Sequence, residues 1–321
     1  MRHSTFTITL LFVSASAIGH SQRRPALPVE PISVILDAFR THQIVALGEG
    51  GHGNEQGHAF RLSLIRDPRF AQVVNDIVVE FGNSRYQEII DEFVSGSDVP
   101  YASLRKVWQD TTQPHDVWDR PIYEEFFRAI RDVNATLPKG MQLRVLLGDP
   151  PVNWDSGEPM LDGKPSMGTL ERDPHAADLI RREVVAKNRR ALIIYGDNHL
   201  FRAGKSLVSL VESTAGTRVF TIANAMGPRF EDVVSLQPDV ASWPIPSLAM
   251  IRGTAIDAKQ LTYYDAVLYL GPPPAITFSR LSATLCADVA YMEMRLKRMA
   301  LVSGLQRLID RLKQHCSTAA K

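Results

Sequence analysis

Four short apolar, β-branched runs each end in a small group of polar residues, and helical patterns separate them. Ile44-Val45-Ala46-Leu47 runs into Gly48-Glu49-Gly50-Gly51-His52-Gly53. Asp76-Ile77-Val78-Val79 reaches Glu80, followed by Asn83 and Arg85. Leu143-Arg144-Val145-Leu146-Leu147 ends at Gly148-Asp149, and Ala191-Leu192-Ile193-Ile194-Tyr195 ends at Gly196-Asp197-Asn198-His199. Runs this short and apolar read as strands buried on both faces, as in parallel sheets. Helical patterns over 55–66, 85–95, 121–134, 174–188 and 204–215 supply the crossovers. The predicted fold is therefore α/β, a mainly parallel central sheet flanked by helices in three layers. Further strands are expected at 218–222 and 266–270, an irregular stretch at 226–246, and a helical C-terminal segment over 279–316.

In an open parallel sheet the carboxyl ends of the strands share one edge, and ligands bind outside it. That convergence selects Glu49, His52, Glu80, His199 and Arg85 as candidate catalytic residues. Carboxylate and imidazole together can activate a water. His52 lies three residues after Glu49, so one turn brings both into a pocket. Arg85 is a candidate for stabilising a developing oxyanion. Asp149, Asp197, His58 and His115 are candidate substrate-binding residues. Glu49, His52, Glu80 and His199 are also donors suited to a divalent metal. Gly48-x-Gly50-x-x-Gly53 matches the dinucleotide fingerprint, with Glu80 at the ribose-binding position. An anionic Glu49 in that turn would repel a pyrophosphate, and the fingerprint gives His199 no role. No Gly-x-Ser-x-Gly elbow occurs. The loop over 149–172 has the length of a lid or of a surface insertion.

The charge balance, 36 basic and 35 acidic residues for a net +1, argues against a nucleic-acid binder or a polybasic membrane patch. At the N-terminus, Arg2, an apolar run from Thr5 to Val13 and small residues through Ser21 follow the order of a secretory signal. The expected organisation is a signal peptide over 1–21, cleaved after Ala17 or Ser21, a polar proline-rich tether over 22–31, and one domain over 32–321. The protein is accordingly expected to be exported, periplasmic or secreted, with no transmembrane segment in the mature chain. Cys286 and Cys316 are the two cysteines. A hairpin folding back near Ser303-Gly304 would put them roughly 27 and 18 Å from the turn at 1.5 Å per residue. That mismatch predicts unpaired thiols.

Gly48-Glu49-Gly50-Gly51-His52-Gly53 resembles the Gly-Glu-x-x-His-Gly opening of the erythromycin esterase-like proteins, a group that extends to the ChaN-like and Tiki/TraB proteins. Val78-Val79-Glu80, Gly196-Asp197-Asn198-His199 and Tyr264-Asp265-Ala266-Val267-Leu268-Tyr269 resemble later elements of that family in the same order. The resemblance implies a water-activating His52, assisted by Glu49 and Glu80, with His199 completing the site. It implies an exported hydrolase of an ester or related bond acting on a small-molecule substrate. The ChaN-like branch implies instead a haem- or iron-binding protein without catalysis, and the Tiki-like branch a metal-dependent protease. The cofactor is thus open between none, a divalent metal and haem. The chain lacks much of the extra helical material of the esterases, which argues against a macrolide substrate.

Overall fold

The computed structural model describes residues 23–161, 164–165 and 171–319; the expected signal peptide, 1–21, lies outside them. Nine strands occur there: β1 Ile44–Gly48, β2 Asp76–Asn83, β3 Arg144–Asp149, β4 Met160–Leu161, β5 Lys164–Pro165, β6 Ala191–Tyr195, β7 Val219–Asn224, β8 Ser247–Met250 and β9 Ala266–Tyr269. Seven form one sheet in the order β3-β2-β6-β1-β7-β9-β8, parallel except for β8 at the edge. β1 lies near the centre, with Ile44 level with Ala191 on one side and Val219 on the other. β1, β2, β6 and β7 are buried along their whole length, which is why each is built on a continuous apolar run rather than an alternating pattern; β2 and β7 also bury polar residues, Glu80 and Asn224 among them.

Alternate residues of each strand feed two cores, because side chains in a strand point to opposite faces. Val45 and Leu47 join Phe60, Leu64, Phe126 and Phe127 on one face. Ile44 and Ala46 join Ile180, Val208 and Val211 on the other. The first face is covered by the helices Glu55–Arg66, Gln87–Val94 and Pro121–Ala135, the second by Arg172–Ile180, Leu207–Ala215 and Pro228–Leu236. The result is the three-layer α/β/α arrangement. The stretch expected to be irregular over 226–246 contains the helix Pro228–Leu236, and β8 follows it. Among the described residues, no helix is long and apolar enough to cross a membrane.

Two expectations are overturned. The segment read as a tether is docked: Val29 bridges Leu248 of β8, and Ala26 is fully buried with its backbone N–H and C=O both bonded to the Gln237 side chain. Its prolines and polar residues satisfy an edge rather than a linker. Cys286 and Cys316 form a disulfide. The tail is not one hairpin but three helices, Ala283–Ala287, Val289–Ala300 and Gln306–Ala319. Asp288 ends the first and caps the second through its side chain. Cys286 therefore leaves the axis of Val289–Ala300, and the length mismatch disappears. These helices share a small core of Leu281, Tyr291, Met299 and Leu312.

Candidate active site

The carboxyl edge of the sheet gathers polar residues from the ends of β2 and β3 and from the turns after β1 and β6. The turn after β1 needs its glycines. Gly50 and Gly53 have φ of +70° and +84°, and a Cβ on Gly48 would come within 1.7 Å of Asp197 Oδ1. Glu49 is fixed by its N–H donating to Tyr195 O at 2.9 Å. Its side chain is 1% exposed, and its Oε2 holds His52 Nδ1 at 2.8 Å. Glu49 Oε1 lies 2.9 Å from Arg61 Nη1, an ion pair without hydrogen-bond geometry. His52 packs edge-on against Trp118, ring centroids 4.6 Å apart, and Arg120 donates to its carbonyl at 2.7 Å. Its Nε2 has no hydrogen-bond partner among the described residues. That nitrogen lies 3.5 Å from where a Cβ on Gly196 would stand, and Glu80 Oε2 lies 3.4 Å from the same point.

Glu80 is not the last residue of its strand. β2 continues to Asn83, and its pairing with β3 loses register between Val79 and Asn83. Such an irregularity re-aims a side chain. Glu80 is buried, with Oε2 accepting from Gly196 N at 2.7 Å and Oε1 from Arg172 Nη2 at 2.9 Å. His199 Nε2 lies 3.2 Å from the same Oε1, and His199 Nδ1 lies 2.5 Å from Asp173 Oδ1. Arg172 Nε also donates to Asp149 Oδ1 at 3.0 Å, while Thr112 bonds both Asp149 oxygens.

This network sets the titration of its members. Burial would raise Glu80, but the bond from His199 and the Arg172 charge win and hold it well below the usual carboxylate range. Burial lowers His199, yet hydrogen bonds to Asp173 and Glu80 push it up to about 9. Burial also opposes the charged form of His52, and the Glu49 hydrogen bond with the Glu49 and Glu80 charges outweighs it, so its pKa is raised.

The structure thus brings together Glu49, His52, Glu80 and His199. Asp149 joins them indirectly, by anchoring Arg172. Four other expected residues stand apart. Arg85 is exposed and forms no ion pair among the described residues; Arg172 is the cation beside Glu80, because the chain after Glu80 stays in the strand and carries Arg85 outward. Asp197 turns away from His199 and behind the Gly48 turn, accepting from Asn224 N at 3.2 Å and from Arg229. His58 is buried under the helix Pro121–Ala135, 3.2 Å from Glu125, with burial pulling it down to about 3. His115 borders the site without a bond to it, and burial lowers it to about 4 despite Asp116; the His52 charge adds to that lowering.

Glu49, His52 and Glu80 each offer an atom within 4.8 Å of the others, close enough in principle for a metal. The charge balance argues against one. Arg61 already faces Glu49, and Arg172 with a protonated His199 faces Glu80. A divalent cation there would meet the buried Arg61 guanidinium and the half-buried Arg172 guanidinium. Arg61, Arg172 and Asp173 escaped the sequence reading. Arg61 had a signal, since it sits in the buried stripe Gly57, Phe60, Arg61, Leu64 of an amphipathic helix.

Fold and site together define a three-layer α/β protein with a carboxylate-oriented histidine at the carboxyl edge of its sheet. No protein-family model matches the chain, and no curated protein matches it. Among solved structures it is similar to ChaN of Campylobacter jejuni, whose structure is described as showing cofacial heme binding. The identity is 13%, over 75% of this chain and 91% of that one, with a TM-score of 0.42.

Proposed function

We propose that the protein is an exported hydrolase of a small ester-type substrate, with His52 as general base. The observation that carries this reading is the His52–Glu49 pair. Nδ1 is tied to a buried carboxylate at 2.8 Å, which leaves Nε2 as the acceptor facing Glu80. A carboxylate behind one ring nitrogen fixes both the tautomer and the ring plane. The gap between His52 and Glu80 is short enough for one water to touch both. In the reaction, that water gives a proton to His52 Nε2 as its oxygen attacks the ester carbonyl carbon. The carbon–oxygen bond to the alcohol then breaks, and the imidazolium returns the proton to the leaving oxygen. Arg172, half-buried and held by Glu80 and Asp149, provides the nearby positive charge. Export is supported by the Cys286–Cys316 disulfide, since such bonds persist in oxidising compartments.

Haem binding is the competing reading. His199 has both ring nitrogens engaged, so an axial ligand would have to be His52 Nε2. That atom faces the buried Glu80 carboxylate, with Arg172 and His199 beside it, a charged setting that suits a polar water better than the face of an apolar macrocycle. One variant separates the two. His52→Ala should lower turnover of 4-nitrophenyl esters by roughly 10²–10⁴-fold, the usual contribution of a general base. Hemin titration should give no Soret shift that depends on His52. A His52-dependent Soret shift together with no His52-dependent turnover would sink the hydrolase reading.

A further inference from the structure

A groove leaves the His52 cleft and runs beneath the C-terminal helices. The cleft, of ≈ 630 Å³, is walled by the polar His52, Arg120, Thr277, Ser279 and Arg280 and by the apolar Ile276 and Phe278. The adjoining groove, of ≈ 550 Å³, shares Arg120, Ser279 and Arg280 and continues to Arg311 and His315. Arg120 is the hinge between them: one of its terminal nitrogens is spent on the His52 carbonyl. Arg120, Arg280 and Arg311 have no carboxylate partner among the described residues, whereas most other arginines of this chain do. Asp116 is the one acidic residue in the groove lining. Three unpaired arginines against one carboxylate make a local excess of +2 in a chain whose net charge is +1. Three arginines without carboxylate partners thus line one continuous groove that opens at the reactive histidine. Guanidinium groups of this kind bind carboxylates and phosphates through paired N–H donors.

We propose that this groove binds an anionic terminus of the substrate, a carboxylate or a phosphate, while the bond to be cleaved lies over His52. The proposal rests on the hydrolase reading for the position of the scissile bond, but not for the binding of the anion. The substrate class is then an ester carrying an acidic group at its acyl or alcohol end. Arg280 and Arg311 are exposed, so changing them leaves the core intact.

The test measures binding and turnover separately on the full chain. Isothermal titration calorimetry at low ionic strength, where salt screening is weak, compares glutaranilic acid, phenethyl phosphate and the neutral butyranilide. At least one of the two acids should bind the wild type tenfold or more tightly than butyranilide, and which one does so identifies the terminus. The double variant R280E/R311E, checked for native circular dichroism, should abolish that preference. Butyranilide binding as tightly as both acids, no binding of either acid, or an unchanged preference in R280E/R311E would each overturn the proposal. Hydrolysis of 4-nitrophenyl hydrogen glutarate and 4-nitrophenyl butyrate is followed alongside. Anion binding without turnover of either ester would sink the hydrolase reading and leave the groove assignment standing. Turnover without any charge preference would do the reverse.

Discussion

His52 is the residue on which the chemistry turns, and its neighbours decide the pH at which it can act. A general base works only when deprotonated, and the Glu49 hydrogen bond with the Glu49 and Glu80 charges raises the His52 pKa against burial. The acid limb of the pH–rate profile should therefore lie above the ordinary imidazole value of about 6.5. Glu49→Gln removes one of those charges. Its limb should move to lower pH while the plateau falls roughly 10²-fold, as expected when a base loses its orienting partner. Profiles of kcat/KM for the two proteins check this, and a limb that stays put in Glu49→Gln would remove Glu49 from the role. At the alkaline end, His199 titrates at about 9. Its charge is one of those that hold Glu80, so activity should decline again as pH rises through that value. These residues are legible in the sequence because each lies within or just past the carboxyl-terminal half of a buried strand, and those ends meet in a parallel sheet. Arg172 and Asp173 are not, because a long loop precedes them and its path cannot be read from residues alone. Arg85 is the opposite case: it is near Glu80 along the chain, but the strand continues past Glu80 and leaves Arg85 exposed.

The same contrast holds for whole elements. Strands β1, β2, β3, β6, β7 and β9 are readable because each is built on a run of apolar residues buried on both faces, with polar residues such as Glu80, Asp149 and Asn224 confined mainly to its carboxyl end. β8 is not, because it is a four-residue edge strand ending in an exposed Met250. The C-terminal segment is recognisably helical, but no Gly or Pro marks its break at Asp288, and the disulfide depends on that break. That disulfide joins residues 30 apart within the C-terminal helices. Closing a loop of that length stabilises by roughly 3–4 kcal/mol in the chain-entropy account. Reduction should therefore loosen these helices while leaving the sheet folded. Hydrogen exchange read by mass spectrometry would show faster exchange over 283–319 with protection of β1, β6 and β7 unchanged. Because Arg311 and His315 sit on the last of these helices, affinity for the acidic anilide should fall with it. Equal loss of protection across sheet and tail, or none in either, would contradict this division.

At the scale of the molecule, the question is what holds the C-terminal helices over the site. Two buried arginines of the helix Val289–Ala300 reach into the 109–119 segment that borders His52. Arg295 pairs with Asp119 at 2.7 Å and donates to the carbonyls of Pro114 and Gln109. Arg298 pairs with Asp110 at 2.7 Å and stacks over Trp154, 4.4 Å from its ring centroid. Tyr291 also donates to Asp119. Burial pushes Asp119 up to about 6 even though Arg295 opposes it, so the desolvation of this pair is large. Such pairs add little net stability over an apolar contact, yet removing one partner leaves a buried charge unpaired. Asp119→Ala should thus destabilise by roughly 3–5 kcal/mol, a large part of the roughly 5–15 kcal/mol that holds a typical protein folded. The double variant D119A/R295M removes both charges and should recover most of that loss. Thermal unfolding followed by circular dichroism measures both, with the midpoint of the single variant well below that of the double. If the double variant melts no higher than Asp119→Ala, the link acts through shape or through its backbone bonds, and the charge pair is not what seats the helices. If both melt near the wild type, the apolar core of Leu281, Tyr291, Met299 and Leu312 seats them by itself, and the groove wall stands independently of the buried arginines.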